Sequence, residues 1–179
     1  SPTDAGASPP ESAAALAPDD VSPPPPRRSS ELPRVPRRVQ NACWDNDLQM
    51  VVEWVEGGEG RVNASYDDTD GSIKNVTLLI LACGRGHEGM IDWLLEHGCD
   101  VDRATNRGDT ALMSACFMNF PDVVRRLLRA GAQTGVRDSS GRTARGIAEQ
   151  FGHRNCVMVL REYKKEKSRG VPSPGSDSS

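Results

Sequence analysis

An all-α solenoid of stacked repeats is the fold class that this sequence predicts, and three observations predict it. Thr77, Thr110 and Thr143 lie 33 residues apart. Ala82, Ala115 and Ala148 follow those threonines by five residues, and Leu94, Leu127 and Leu160 by seventeen. Gly98 and Gly131 follow the first two by twenty-one. A fixed period of this size marks units that cannot bury their apolar faces alone and must stack on one another.

The elements follow in order. A fainter first unit is visible upstream: Val39, Ala42, Trp54, Val55 and Gly58 match Leu79, Ala82, Leu94, Leu95 and Gly98 at an offset of 40. The seven extra residues predict a longer connection over Glu59 to Ser72. Each later unit opens on a threonine, a good N-cap because its hydroxyl accepts a free N–H of the first turn. An apolar run then gives a first helix: Leu78–Cys83, Ala111–Cys116 and Ala144–Ala148. Gly86, Asn119 and Gly152 suit the left-handed residue that ends it. Second helices carry Met90, Ile91, Leu94 and Leu95, then Val123, Val124, Leu127 and Leu128, then Cys156, Val157 and Leu160. That spacing is a helical stripe rather than strand alternation. Pro121 falls at a helix start, where no intrahelical donor is needed. Gly98 and Gly131 end second helices, and polar turns follow over Asp100 to Asp109 and Gln133 to Arg142, with Gly108 and Gly141 where φ is expected to be positive.

Helix, turn, helix and polar hairpin at this period resemble the ankyrin repeat. The chain reads T-L-L-I-L-A-C, R-G-H-E and L-L-E-H-G-C-D-V-D from Thr77, then G-D-T-A-L-M-S-A-C and L-L-R-A-G-A from Gly108, then G-R-T-A-R-G-I-A-E and F-G-H from Gly141. It departs from the family pattern at the proline after the threonine (Leu78, Ala111, Ala144) and at the histidine (Ile80, Met113, Gly146). The resemblance therefore implies a thinned threonine–histidine network and a less stable stack. Asn75 stands in the slot of the turn glycine, and asparagine tolerates that backbone region. Four repeats are expected, over about residues 38–71, 72–107, 108–140 and 141–166. Arg38 and Gln40 at one end, with Arg145 and Arg161 at the other, replace apolar family positions, as end caps should.

Composition bounds the rest. Ten of 13 prolines precede residue 37, so residues 1–37 are expected to form a disordered tail, and residues 167–179 another. The chain begins with Ser, as a fragment or a processed form would. No apolar run approaches the ~18 residues of a membrane span, and no signal peptide is visible. Five cysteines fall within the repeat pattern, which predicts free thiols and a reducing compartment, cytoplasmic or nuclear. The net charge is −3, but residues 38–71 hold eight acids against two bases, and residues 141–169 hold eight bases against three acids. A stack lays sequence along one axis, so the N-end is expected to be acidic and the C-end basic.

No catalytic motif emerges. His87, His97, Cys99 and Cys83 lack the spacing of a zinc site, and neither a nucleophile elbow nor a phosphate loop is present. No catalytic residue, metal or cofactor is expected. Asn63-Ala-Ser and Asn75-Val-Thr match the glycosylation pattern without a secretory context. Val62-Asn63-Ala64 resembles the hairpin tip that asparaginyl hydroxylases modify in ankyrin proteins. Pro33 to Arg38 fits P-x-x-P-x-R, an SH3-type ligand, and Arg27 to Ser30 fits a basophilic kinase site. Arg161 to Arg169 reads either as a solvated last helix or as a nuclear-localisation or phosphate-binding patch.

The family resemblance implies a binding face. Residues before the helix–helix turn and those flanking the threonine line the concave side of ankyrin stacks. By register these are Trp44 and Asp45, Gly84 and Arg85, Phe117 and Met118, and Gln150 and Phe151 on the helices. On the hairpin fingers they are Lys74, Val76, Arg107, Asp109, Ser140 and Arg142. Trp44, Phe117, Met118 and Phe151 are large and apolar where a groove is normally polar, and aromatic or Met side chains beside Arg make interface anchors. They either form a contact surface or turn inward under the fingers. Arg126 falls on the outer face by the same register and is expected to matter little. The implied function is a monomeric, non-catalytic adaptor for a partner protein, with no nucleic acid and no membrane as partner. The alternative is a regulatory or targeting segment of a larger enzyme or signalling protein.

Overall fold

The computed structural model describes residues 34–58 and 60–170. Eight helices and two short strands occur among them: α1 (Arg37–Trp44), α2 (Leu48–Glu56), β1 (Ser65–Tyr66), β2 (Val76–Thr77), α3 (Leu78–Arg85), α4 (Glu88–Glu96), α5 (Ala111–Phe117), α6 (Pro121–Arg129), α7 (Ala144–Gln150) and α8 (Arg154–Ser168). They form four helix pairs. First helices pack in succession, α1 on α3, α3 on α5 and α5 on α7, and second helices run alongside, α4 on α6 and α6 on α8.

Helices this short are marginal in isolation and depend on packing. Local signals nevertheless set their ends. The hydroxyls of Thr77, Thr110 and Thr143 accept from the N–H of Ile80, Met113 and Gly146, at 3.2, 3.4 and 3.2 Å. Pro121 occupies the first turn of α6. Asn75 takes φ 61° and Asn119 takes φ 60°, so asparagine does fill the left-handed slots. Asn46, at φ 63°, supplies the same turn in the first pair.

The core follows the repeat. Ala82, Ala115 and Ala148 are fully buried and let neighbouring first helices approach. Leu94 and Leu127 are fully buried between stacked pairs, and Leu160 nearly so.

The fingers are joined by polar contacts from each to the next. Asn63 Oδ1 accepts from the Asp100 N–H at 2.7 Å, and Asp102 Oδ1 from the Gln133 N–H at 2.8 Å. Asn106 bonds both backbone groups of Lys74, and the Ser139 N–H donates to the Arg107 carbonyl at 2.7 Å. At Gly108, φ +80°, a Cβ would lie 2.9 Å from the Asp138 Cα, so glycine admits the next finger. Asp138 is almost fully buried. Burial alone would raise its carboxyl. The Arg142 N–H, the Arg142 guanidinium and the Ser140 N–H outweigh burial and hold it below the usual carboxylate range.

Three expectations change. The packed unit reaches upstream of residue 38: Val35 is buried, its N–H donates to the Ser65 carbonyl at 3.1 Å, and Arg34 pairs with Asp67 at 3.3 Å. Within the SH3-type motif, Val35 is therefore covered and Arg37-Arg38 are helical, while Pro36 keeps an extended backbone at φ −63° and ψ 151°. At the other end α8 runs to Ser168, two residues past the expected limit. Arg126 is not idle. It bridges from α6 to Asp92 and Glu88 on α4, so it ties two pairs together. The kinase site at Arg27 to Ser30, and the tails over 1–33 and 171–179, lie outside the described residues.

All five cysteines are free thiols, and only Cys99 is partly exposed. Burial pushes the Cys43 thiol up to about 12 and the Cys99 thiol up to about 11, and raises the Cys83 thiol as well. Protonated thiols are poor nucleophiles. A thiol reagent is expected to label Cys99 first and the other four only on unfolding, as read by peptide mass mapping over time.

Leu94→Ala or Leu127→Ala is expected to cost about 2–5 kcal/mol, the range for buried leucines that leave a cavity. Urea unfolding measures it, and a loss under ~1 kcal/mol would contradict this packing.

Asp138 has a depressed pKa when folded, so its contribution is complete above the unfolded value of about 3.9 and disappears as pH falls through the folded value. The stability gap between the native protein and Asp138→Asn is therefore expected to be full at neutral pH and to narrow under acid. A gap that stays constant down to low pH would show that the carboxylate charge contributes nothing.

Candidate protein-interaction surface

Each first helix ends on a residue that the turn turns outward. Trp44 ends α1, Arg85 ends α3 and Phe117 ends α5, while Met118 and Phe151 are the C-caps of α5 and α7. The left-handed residues Asn46, Gly86, Asn119 and Gly152 then reverse the chain. The reversal sends the second helix into the core and leaves the preceding side chains outside.

Exposure separates the two readings of these residues. Trp44 is 54% exposed, Phe117 50%, Met118 46% and Phe151 45%. None turns inward under a finger. Phe117 and Phe151 meet edge to face at 4.8 Å, and Phe151 stacks on His153 at 6.1 Å. The Arg85 guanidinium sits 3.0 Å from the Trp44 ring centroid, a cation–π pair that spans two repeats.

The row is held from behind. His87 Nε2 bonds the Trp44 carbonyl at 3.1 Å, and His153 Nε2 bonds the Phe117 carbonyl at 3.0 Å. A carbonyl only accepts, so Nε2 carries the proton in both rings. Each histidine therefore anchors the first-helix end of the preceding pair. In the third pair Phe120 occupies that slot, with its ring where a Cβ on Gly86 would be 3.1 Å away. In the sequence His87 stands out only among residues that lack zinc-site spacing, and these bonds are not anticipated there. The recurrence of Gly-His at 86–87 and 152–153 is the signal that pointed to them.

The finger positions divide. Lys74 and Arg107 are exposed, and their backbones are fixed by the finger contacts. Asp45 is exposed beside Trp44. Val76 lies in β2, partly buried against the core, so it offers little free surface. Asp109 is partly buried and accepts from the Thr105 hydroxyl at 3.4 Å. Arg142 is committed on both sides, to Asp138 at 2.8 Å and to Gln150 at 3.3 Å. A Cβ added at Gly84 would come 4.0 Å from the Ser114 Cβ, and Ser140 is exposed at a finger tip. The arrangement offers an apolar row with cations along one side. Among the described residues four of the five thiols are buried, and His87 and His153 are bonded to backbone.

No helix among the described residues is long and apolar enough to cross a membrane. A family model described as ankyrin repeats (3 copies) matches residues 39–138. The chain is 32% identical over 155 residues to the E3 ubiquitin-protein ligase hecd-1 of Caenorhabditis elegans, across 80% of this chain and 6% of that protein. It is 35% identical over 100 residues to the E3 ubiquitin-protein ligase XBAT33 of Arabidopsis thaliana, across 54% of this chain and 20% of that one. It is 35% identical over 98 residues to the potassium channel AKT1 of Arabidopsis thaliana, across 53% of this chain and 11% of the channel. The chain thus spans a fifth or less of these relatives' length. Ligases and a channel share no reaction, so what these matches have in common is the stack itself, a non-catalytic protein-interaction domain. With period, caps, fingers and match in agreement, this chain belongs to the ankyrin-repeat family.

Proposed function

We propose that this stack is a docking module, cytoplasmic or nuclear, that binds a partner protein along the face carrying Trp44, Arg85, Phe117, Met118 and Phe151. That face is the concave one in ankyrin stacks. The observation that supports this most is four large apolar side chains, each about half exposed, standing at helix ends, with the carbonyls of Trp44 and Phe117 themselves bonded. Rigid aromatic anchors lose little entropy on binding, and exposed apolar rows of this kind mark contact surfaces. Lys74 and Arg107 flank the row and act mainly on the association rate and its salt dependence. Arg85 has a second role, because its removal also frees the Trp44 ring.

A regulatory or targeting segment of a larger enzyme remains the alternative reading. It is favoured by one observation: the chain spans only 6% of one ligase and 20% of another. In either case the module itself binds rather than catalyses, as a monomer, without nucleic acid or membrane.

Phe117→Ala and Met118→Ala are each expected to weaken partner binding by about 1–3 kcal/mol, the range for interface anchors, with little change in the unfolding midpoint. The partner is taken by affinity capture from a cell extract, and its affinity is measured on the purified variants. Arg129, exposed on α6, serves as control, since Arg126 bridges two repeats. Loss of several kcal/mol of stability in Phe117→Ala would make that residue core. Strongest loss of binding in Arg129→Ala would move the partner to the outer face.

A further inference from the structure

One surface plays no part in that reading. Arg145 on α7, with Arg161, Lys164, Lys165, Ser168 and Arg169 along α8 and its end, lines an open cavity of about 510 Å³. The α8 residues are spaced by three and four, so they form one helix stripe. Glu149 is the acid of this face, and it already holds Arg145 at 2.8 Å and Arg161 at 3.5 Å. The side chains of Lys164, Lys165 and Arg169 pair with no acid among the described residues. Glu162 faces elsewhere, into a separate groove with Asp122 and Arg125. Five cations therefore line a space with no carboxylate in its lining, and Glu149 beside it holds two of them.

A terminal repeat needs a polar outer face, but not a face of one sign. Like charges three and four residues apart destabilise a helix. The helix dipole explains cations in the last turn of α8, Lys165 and Lys167. It does not explain Arg145, which stands in the first turn of α7, where a cation is disfavoured. Nor does it explain why these side chains surround one cavity. The negative end of α8 opposes an anion by about half a charge, far less than the surplus of cations. The space is wide open to solvent, so charge rather than enclosure would hold a ligand there. No aromatic or other apolar side chain lines it, so it offers neither stacking for bases nor insertion into a lipid surface.

We propose that this C-terminal face binds a compact, multiply phosphorylated anion. Phosphates would bridge the lysines and Arg169, relieve their mutual repulsion and leave the Glu149 pairs in place. The site is independent of the aromatic row, so a partner protein and the anion can bind together.

The test titrates inositol hexakisphosphate into the full chain by calorimetry at about 0.15 M salt, where exposed charges are screened beyond ~8 Å. Saturable binding with one anion per chain is expected, together with a rise in the melting temperature. The triple variant Lys164→Gln, Lys165→Gln, Arg169→Gln is expected to lose at least ~tenfold in affinity, because charge-assisted bonds carry the binding, and circular dichroism checks its fold. Phe117→Ala is expected to bind the anion unchanged. Equal affinity in a folded triple variant overturns the proposal, as does absence of saturable binding. Sedimentation with phosphatidylserine vesicles but no affinity for the soluble anion also overturns it, in favour of a membrane-facing surface.

Discussion

Every helix pair in this chain leaves an apolar face that only the next pair can cover, and the rest of the structure depends on that dependence. A first helix of seven or eight residues has too few internal hydrogen bonds to persist alone. Its stability comes from Ala82, Ala115 and Ala148, which are fully buried and small enough to let first helices sit side by side. Leu94 and Leu127 then fill the space behind them. A bulkier residue at the alanine slot would push two pairs apart and strip the leucines of their contacts at the same time.

The polar contacts between neighbours serve register more than strength. Arg126 reaches across from α6 to two carboxylates of α4, and the asparagines and aspartates of each finger accept the N–H groups of the next. Those N–H groups would otherwise face partial burial without a partner. Exposed ion pairs contribute little each, but a set repeated along the stack penalises any slip of one repeat against the next. The long first finger obeys the same constraint. Ser65 and Tyr66 pair with Thr77 and Val76, and Val35 joins their edge from upstream, so the extra residues are bound into the stack.

Rigidity on one side is what gives the open side its character. The carbonyls of Trp44 and Phe117 are bonded by histidines from later repeats, so the helix ends that carry these rings are fixed by the same stacking that builds the core. Exposed aromatic side chains cost solubility unless something covers them. The cations of this face are unevenly committed: Arg142 is held by a buried aspartate and Arg85 by the Trp44 ring, while Lys74 and Arg107 are exposed on fixed fingers.

The sequence by itself determined the period, the caps and the core. Thr77, Thr110 and Thr143 announce their helices, Asn75 and Asn119 their left-handed turns, and the Ala and Leu positions their burial, because each of these is a local demand on residue type. The upstream limit was not legible, since Val35 is buried only by meeting Ser65, thirty residues away in the chain. Arg126 was misread for the same reason: the period gives its face, but its partners Asp92 and Glu88 belong to another repeat. Among the candidate contact residues, identity could not distinguish Phe117, which projects outward, from Val76, which packs on the core. Only the tertiary structure decided that, because exposure depends on what the neighbouring repeat covers. The five cations of the last face are adjacent in sequence only along α8, and Arg145 joins them through the packing of α7 on α8.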